Sequence, residues 1–426
     1  MSTVTAAGSA GSAGPAVPAR ATNAVVTGIG VMSPIGLSTE AYWAALLAGT
    51  SGIGRVTRFD PDPYSVRLAG EIRDFDPAQH VPDRLLAQTD HVTRLSLAAA
   101  GEALADAAVE PAELPEYGIG VITASSAGGF EYGHRELDKL WRQGPAHVSA
   151  YQSFAWFYAV NTGQISIRHS LRGSSGVLVS DQAGGLDAVA HARRRVRRGT
   201  PVVVTGAVDG SLCPWGWVGQ VSSGQFSSSD DPATAYRPFE PDASGAVPGE
   251  GGAILILEDE QAARARGVPR VYGRIAGYAA TFDPAPGRDG EPGAALRRAI
   301  EQALAEAGAE PGDIDVVFAD AAGTPELDRS EAAALQAVFG PAGVPVTAPK
   351  TMTGRLCAGG AALDLATALL AIRDGVVPPT VHVRNPDPGH ALRLVTGTPR
   401  RMRVRSALIV ARGFRGFNSA LVVTAS

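Results

Sequence analysis

Short runs of β-branched and apolar residues, each closed by glycine, serine or an acid, recur along this chain and alternate with alanine-rich stretches of helical spacing. AVVTGIG begins at Ala24, GIGVITASS at Gly118, GVLVSD at Gly176, PVVVTGAVDG at Pro201 and GAILILED at Gly252. Runs that stay apolar instead of alternating with polar residues read as strands buried on both faces. Between them, residues 93–108 and 186–196 have helical periodicity. Arg193, Arg194, Arg195, Arg197 and Arg198 crowd the end of the second stretch, where cations suit the negative end of a helix dipole. Alternating strands and helices predict a buried α/β sheet.

Residues 269–293, PRVYGRIAGYAATFDPAPGRDGEPG, read as a loop, and after them the pattern starts again. A helix over 294–307, a strand from Ile314, a helix over 329–338, a strand from Val344 and a helix over 359–374 lead to the paired runs SALIVARGF and NSALVVTAS. Two similar halves follow, 23–262 and 263–426, as a tandem repeat of one α/β unit. Residues 1–22 are small and rich in Ser, Gly and Pro, with too little apolar surface to offset the entropy of ordering, and are expected to form a disordered tail.

Composition narrows the function classes. A net charge of -5, with no basic arm, argues against nucleic acid as a partner. Cys213 and Cys357 are the only cysteines and lie far apart, so they offer neither a disulfide framework nor a zinc-ligand spacing. No apolar run is long enough to span a bilayer and the first residues lack signal-peptide character, so the expected location is the cytoplasm.

Four segments carry a resemblance to β-ketoacyl synthases of the thiolase superfamily, from about Ala24 to the C-terminus. That family sets its nucleophilic cysteine on a tight strand-to-helix turn, where free N–H groups and the dipole favour a thiolate. The corresponding turn here reads VLVSDQAGGLDA, with Gln182 at the cysteine position. Two family histidines stabilise the oxyanion and the carbanion formed by decarboxylation of a malonyl thioester. Ungapped alignment puts Asp320 of ADAAGTPELDRSE at the first and Arg355 of KTMTGRLCAGGA at the second, while Lys350 and Gly354 fit the family. The fourth segment, ARGFRGFNSA, resembles a glycine-rich cavity loop with Phe414 as its aromatic gate and Arg415 where glycine is usual.

An amide is a poor nucleophile, and an acid with a guanidinium does not replace two imidazole donors. The pattern, with QAGGLDA, AGTPELDR and SFAWFYAVNTGQISIRH, resembles the chain-length factor, or ketosynthase β subunit, of bacterial type II aromatic polyketide synthases. The resemblance implies a duplicated thiolase fold in five α/β/α/β/α layers. It implies a heterodimer with a catalytic ketosynthase α subunit, which condenses malonyl units brought by acyl carrier protein. No metal or nucleotide is called for, and phosphopantetheine arrives on the carrier.

In such families a helix near Gly128 lines the tunnel that receives the growing chain, and Phe130, Gly133 and Leu137 share one helical face if it starts there. Small and medium groups at 133 and 137, with Phe130 and Trp215 shaping the walls, imply a long poly-β-ketone, nearer a decaketide than an octaketide. His134 reads as a solvated or paired side chain beside Glu131 and Glu136, and Cys357 as a small buried hydrophobe. Two readings of Gln182 stand: an amide that holds the turn, or a group that polarises malonyl carrier protein for priming decarboxylation, as in a stand-alone decarboxylase. Asp320 and Arg355 either pair in the vacated histidine sites or bond separate neighbours.

Overall fold

The computed structural model describes residues 23–283 and 291–426. The expected disordered tail and part of the expected loop, residues 284–290, lie outside the described residues. The first half contributes strands β1 (Ala24–Met32), β2 (Ile119–Ala124), β3 (Ser175–Leu178), β4 (Val202–Asp209) and β5 (Gly251–Asp259). The second contributes β6 (Gly273–Phe282), β7 (Val316–Phe318), β8 (Pro345–Thr347), β9 (Ser406–Gly413) and β10 (Phe417–Thr424). Spatial order is β3-β2-β4-β5-β1 in the first half and β8-β7-β9-β10-β6 in the second. The pairing senses repeat as well: β2 is parallel to β3 and β4, with β5 and β1 antiparallel beyond. Likewise β7 is parallel to β8 and β9, with β10 and β6 antiparallel beyond. The duplication read from the sequence is therefore a duplication of topology. A two-residue pairing of β1 with β6 joins the halves.

One stretch differs from the sequence expectation. Within the segment read as a loop, residues 273–282 form β6, which lies between β1 and β10 in the middle of the sheet. Its strand signal is diluted by Gly277, where a β-carbon would stand 2.1 Å from Ala303 O on the helix packed above. Close backbone approach requires glycine there, and glycine reads as a breaker.

The layers follow from side-chain alternation. Ala253, Leu255 and Leu257 of β5 and Ala407 and Ile409 of β9 face a shared central core, whereas Ile254 and Ile256 face one outer layer and Leu408 and Val410 the other. Helix α1 (His91–Asp106) covers the outer face of the first half, with α3 (Val160–His169) against it. Helices α6 (Ala294–Ala307) and α7 (Pro325–Phe339) occupy the equivalent outer positions of the second half. Two helices fill the centre: α4 (Gly184–Arg197) and α8 (Ala358–Asp374). Helix α8 is Ala/Gly/Leu-rich and buried almost all round, as a central helix must be. Both central helices start at the same end of the molecule, and Gly185 touches the first turn of α8 so closely that a β-carbon would stand 2.7 Å from Ala358 O. That contact brings two helix N-termini, with their free N–H groups, to one place.

Candidate functional site

Gln182 lies in a single 3-10 turn, Asp181–Ala183, between β3 and α4, and is buried. Oriented to satisfy its neighbours, its amide Nε2 donates to Cys357 O at 3.0 Å and its Oε1 accepts the Cys357 N–H at 3.1 Å. Cys357 caps α8 with φ of 51° and ψ of -134°, a region that non-glycine residues rarely adopt. The amide in the turn before one central helix therefore holds the strained N-cap of the other. The next N–H, that of Ala358, reaches Asp209 Oδ2 at 3.2 Å, and this carboxylate also accepts from Ser126 N at 2.6 Å. Burial pushes the Asp209 carboxyl up to about 6. Burial, with the charges of Asp209 and Asp181, pushes the Cys357 thiol well above the usual range. No thiolate is available at either helix start.

Asp320 and Arg355 form a buried bidentate pair, with Nη1 to Oδ2 and Nη2 to Oδ1 both at 3.0 Å. The guanidinium also donates to the carbonyls of Asp320 and Arg412, each at 3.0 Å, and Asp320 Oδ1 accepts the Arg412 N–H at 2.9 Å. Burial opposes the charge on Asp320, but Arg355 and Lys350 overcome it and hold the carboxyl below the usual carboxylate range. Both carboxylate oxygens and both terminal guanidinium nitrogens are bonded, which a buried ion pair needs if it is not to cost stability. Lys350 stands 2.7 Å from Asp364 Oδ2 and donates to Ala319 O, one residue before Asp320.

Two buried carboxylates on α7 shape the Asp320–Gly323 turn. Glu331 accepts the Asp320 and Ala321 N–H groups at 2.7 and 2.8 Å, and Asp328 accepts those of Gly323 and Phe239 at 2.9 and 2.8 Å. Burial, with the Asp320 charge added, pushes Glu331 up to about 7, and burial takes Asp328 to about 6.

Two cavities meet at this centre. One, about 560 Å³, is lined by Gln182, Asp181, Cys357, Phe130 and Phe414 among others. The second, about 700 Å³, is lined by Asp320, Arg355, Arg412, Phe282 and Phe414. Phe414 and Arg415 belong to both linings, so their loop divides the two. Arg415 has φ of 63°, the left-handed backbone for which glycine is the relaxed choice, and its guanidinium lies over the Phe414 ring at 5.2 Å.

Helix α2 (Phe130–Gln143) begins at Phe130. The Phe130 ring stacks on Trp215 with centroids 4.4 Å apart and planes 9° apart; Trp215 opens the short helix α5 (Pro214–Val221). Gly133 sits behind this stack, where a β-carbon would meet Trp215 Cζ3 at 3.1 Å and Trp156 Cβ at 3.4 Å. Leu137 is half-buried farther along α2, and Gly133, Leu137 and Trp215 line neither cavity. Cys213 caps α5 through its sulfur, and His134 is half-buried on α2. The sequence reading missed Asp181, Asp209, Asp328 and Glu331. Its one available signal for Asp181 was an acid directly beside the unusual Gln182.

Residues 22–263 match the model of the β-ketoacyl synthase N-terminal domain, and residues 272–384 that of the C-terminal domain. The chain belongs to the β-ketoacyl synthase family. Within this family it is 61% identical, over 94% of its own length and 97% of the relative's, to the tetracenomycin polyketide synthase ketoacyl synthase beta subunit of Streptomyces glaucescens. The ishigamide ketosynthase/chain length factor superposes with a TM-score of 0.85 at 28% identity, covering 95% of this chain and 99% of that one. A type II acyl-carrier protein in complex with its ketosynthase bound to the hexaketide gives a TM-score of 0.84 at 26% identity, with the same coverage. This member of the family therefore has the duplicated five-layer thiolase fold, with Gln182, Asp320 and Arg355 at its centre.

Proposed function

We propose that this chain is the non-condensing β subunit of a minimal type II polyketide synthase. The observation that carries the reading is that Gln182, Asp320 and Arg355 bond to protein partners and burial keeps the Cys357 thiol protonated, so the centre offers no thiolate, imidazole or free amide to a thioester. A relative named as a ketosynthase beta subunit and a structural neighbour named as a ketosynthase/chain length factor support it. The catalytic cysteine and histidines then belong to a ketosynthase α subunit bound as a heterodimer, and acyl carrier protein brings malonyl and polyketide intermediates on phosphopantetheine.

The surface supports such a partner. Strand β3 ends the sheet with an unpaired edge, and Trp141, Phe154, Trp156, Phe157 and Ile167 stand exposed. In this reading the chain shapes the shared tunnel through Phe130, Gly133, Leu137 and Trp215 and sets chain length near a decaketide, with Phe414 gating its own cavity. No helix among the described residues is long and apolar enough to cross a membrane, and a cytoplasmic location fits the pathway.

The test is reconstitution. The chain with malonyl carrier protein alone should give neither an acyl adduct nor a polyketone, and adding an α subunit should give a polyketone. An acyl adduct on the isolated chain overturns the reading. A stand-alone decarboxylase acting through Gln182 predicts decarboxylation by the isolated chain that is lost in Gln182→Ala; an amide already bonded to Cys357 at both ends argues against it.

A further inference from the structure

Asp181, the residue before Gln182, has φ of 51°, a left-handed backbone that aspartate adopts more readily than most non-glycine residues. This geometry carries its carboxylate across to the loop after β9, where Oδ2 accepts the Phe414 N–H at 2.7 Å. The loop is pinned on both sides of that bond. A β-carbon at Gly413 would stand 2.6 Å from Ser180 O, and Gly416 O accepts the Asp283 N–H at 2.8 Å. The Phe414 N–H is thus the donor that the dividing loop presents to the Gln182 turn, and a carboxylate has already taken it.

Acyl transfer at this turn has fixed requirements. A sulfur at position 182 would attack the thioester carbonyl, forming a new C–S bond. The carrier's C–S bond would break, and the proton lost by the attacking thiol would end on the leaving thiol. Between these events the carbonyl oxygen carries negative charge and needs free N–H donors aimed at it. A neighbouring carboxylate opposes both the thiolate and that oxyanion.

We propose that Asp181 is a second, independent block on acyl transfer: it consumes the Phe414 N–H and places negative charge beside the reacting position, so restoring a thiol at 182 does not by itself restore acylation. This rests on the reading that the chain carries no acyl group, and it adds a residue with no part in the loss of cysteine and histidines.

The test uses the full chain with Gln182→Cys, alone and combined with Asp181→Asn, Asp181→Ala or Asp181→Gly, the last suiting the left-handed backbone if alanine disturbs folding. The probes are iodoacetamide and an acetyl thioester of a pantetheine analogue, with peptide mass mapping to separate position 182 from the buried Cys213 and Cys357. Gln182→Cys alone should alkylate slowly and give little adduct. Adding Asp181→Ala or Asp181→Gly should raise both rates about tenfold or more, the effect of one unit in thiol pKa. Asp181→Asn keeps an oxygen for the Phe414 N–H without the charge, so it should speed alkylation more than acylation. Exchange of the Phe414 amide hydrogen should quicken in the alanine variant and not in the asparagine one. If Gln182→Cys alone acylates as fast as the double variants, or Phe414 exchange ignores Asp181→Ala, the proposal fails. Acylation of the unsubstituted chain would instead sink the functional reading.

Discussion

Where α4 meets α8, the amide of Gln182, the carboxylates of Asp181 and Asp320 and the guanidinium of Arg355 are all bonded to protein, whereas along α2 and the segment after it large apolar side chains stand in solvent. Trp141 is 82% exposed and Ile167 69%, although burying such side chains stabilises by roughly 1.5–3 kcal/mol each. The contrast separates two jobs that a condensing enzyme combines. The interior keeps the thiolase architecture with Gln182, Asp320 and Arg355 closed in by internal bonds, and the surface keeps exposed apolar area of the kind that protein partners cover.

Opening the interior should have the greatest consequence. Arg355→Ala leaves Asp320 buried without its counter-charge and should cost about 3–5 kcal/mol in denaturant unfolding. Adding Asp320→Ala should recover part of that loss, because two partners in one ion pair are not additive. A single-variant cost below about 1 kcal/mol would mean that the pair does not close the site.

Next in size is the pH response of the same region. Glu331 has its folded-state pKa raised to about 7 from an ordinary 4.5, so between those values the folded protein binds a proton that the unfolded chain has released. Stability must then fall as pH rises through this window, by at most about 1.4 kcal/mol per pH unit for one proton, and level off above about 7. Glu331→Gln should flatten that slope between pH 5 and 7. Asp320, held below its ordinary value, acts with the opposite sign and only in the acid range. An unchanged slope in Glu331→Gln would show that the turn below Asp320 is not set by this carboxylate.

The exposed face is probed by Trp141→Ala. The isolated chain should keep its stability within about 0.5 kcal/mol, since the side chain covers little. Association with an α subunit should weaken by roughly 2 kcal/mol, about thirtyfold in Kd by titration, if Trp141 is an anchor of the interface. Unchanged affinity would move the interface off this face.

The interior was largely legible in the sequence because its constraints are local. Buried parallel strands are apolar at most positions, central helices are rich in Ala and Gly, and Gln182, Asp320 and Arg355 stand inside short segments with fixed spacing. Strand β6 was not legible, because Gly277 serves a contact with α6 that the linear sequence does not display. The closure of the site was not legible either. Asp181 to Phe414 and Gln182 to Cys357 join residues 233 and 175 positions apart, and nothing in either segment names its partner.

The smallest expected effect lies where the two regions touch, at the Phe130–Trp215 stack. Volume added at Gly133 has nowhere to go but against Trp215 Cζ3 and Trp156 Cβ, and Trp215 lies flat on Phe130, which lines the cavity holding Gln182. Gly133→Ala should change stability by under about 1 kcal/mol, because better helix propensity offsets the tighter contact. Gly133→Trp must displace the stack, and in the reconstituted synthase it should shift products toward shorter chains while association with the α subunit persists. Leu137 stands one turn farther along α2, half-buried and outside both cavity linings, so Leu137→Trp should shift product length less. Equal shortening by both variants would mean that chain length is read directly along the exposed helix face, at the junction with the partner, and not through the aromatic stack. In that case the measuring surface belongs to the open exterior, and the closed centre serves only to hold α2 in place.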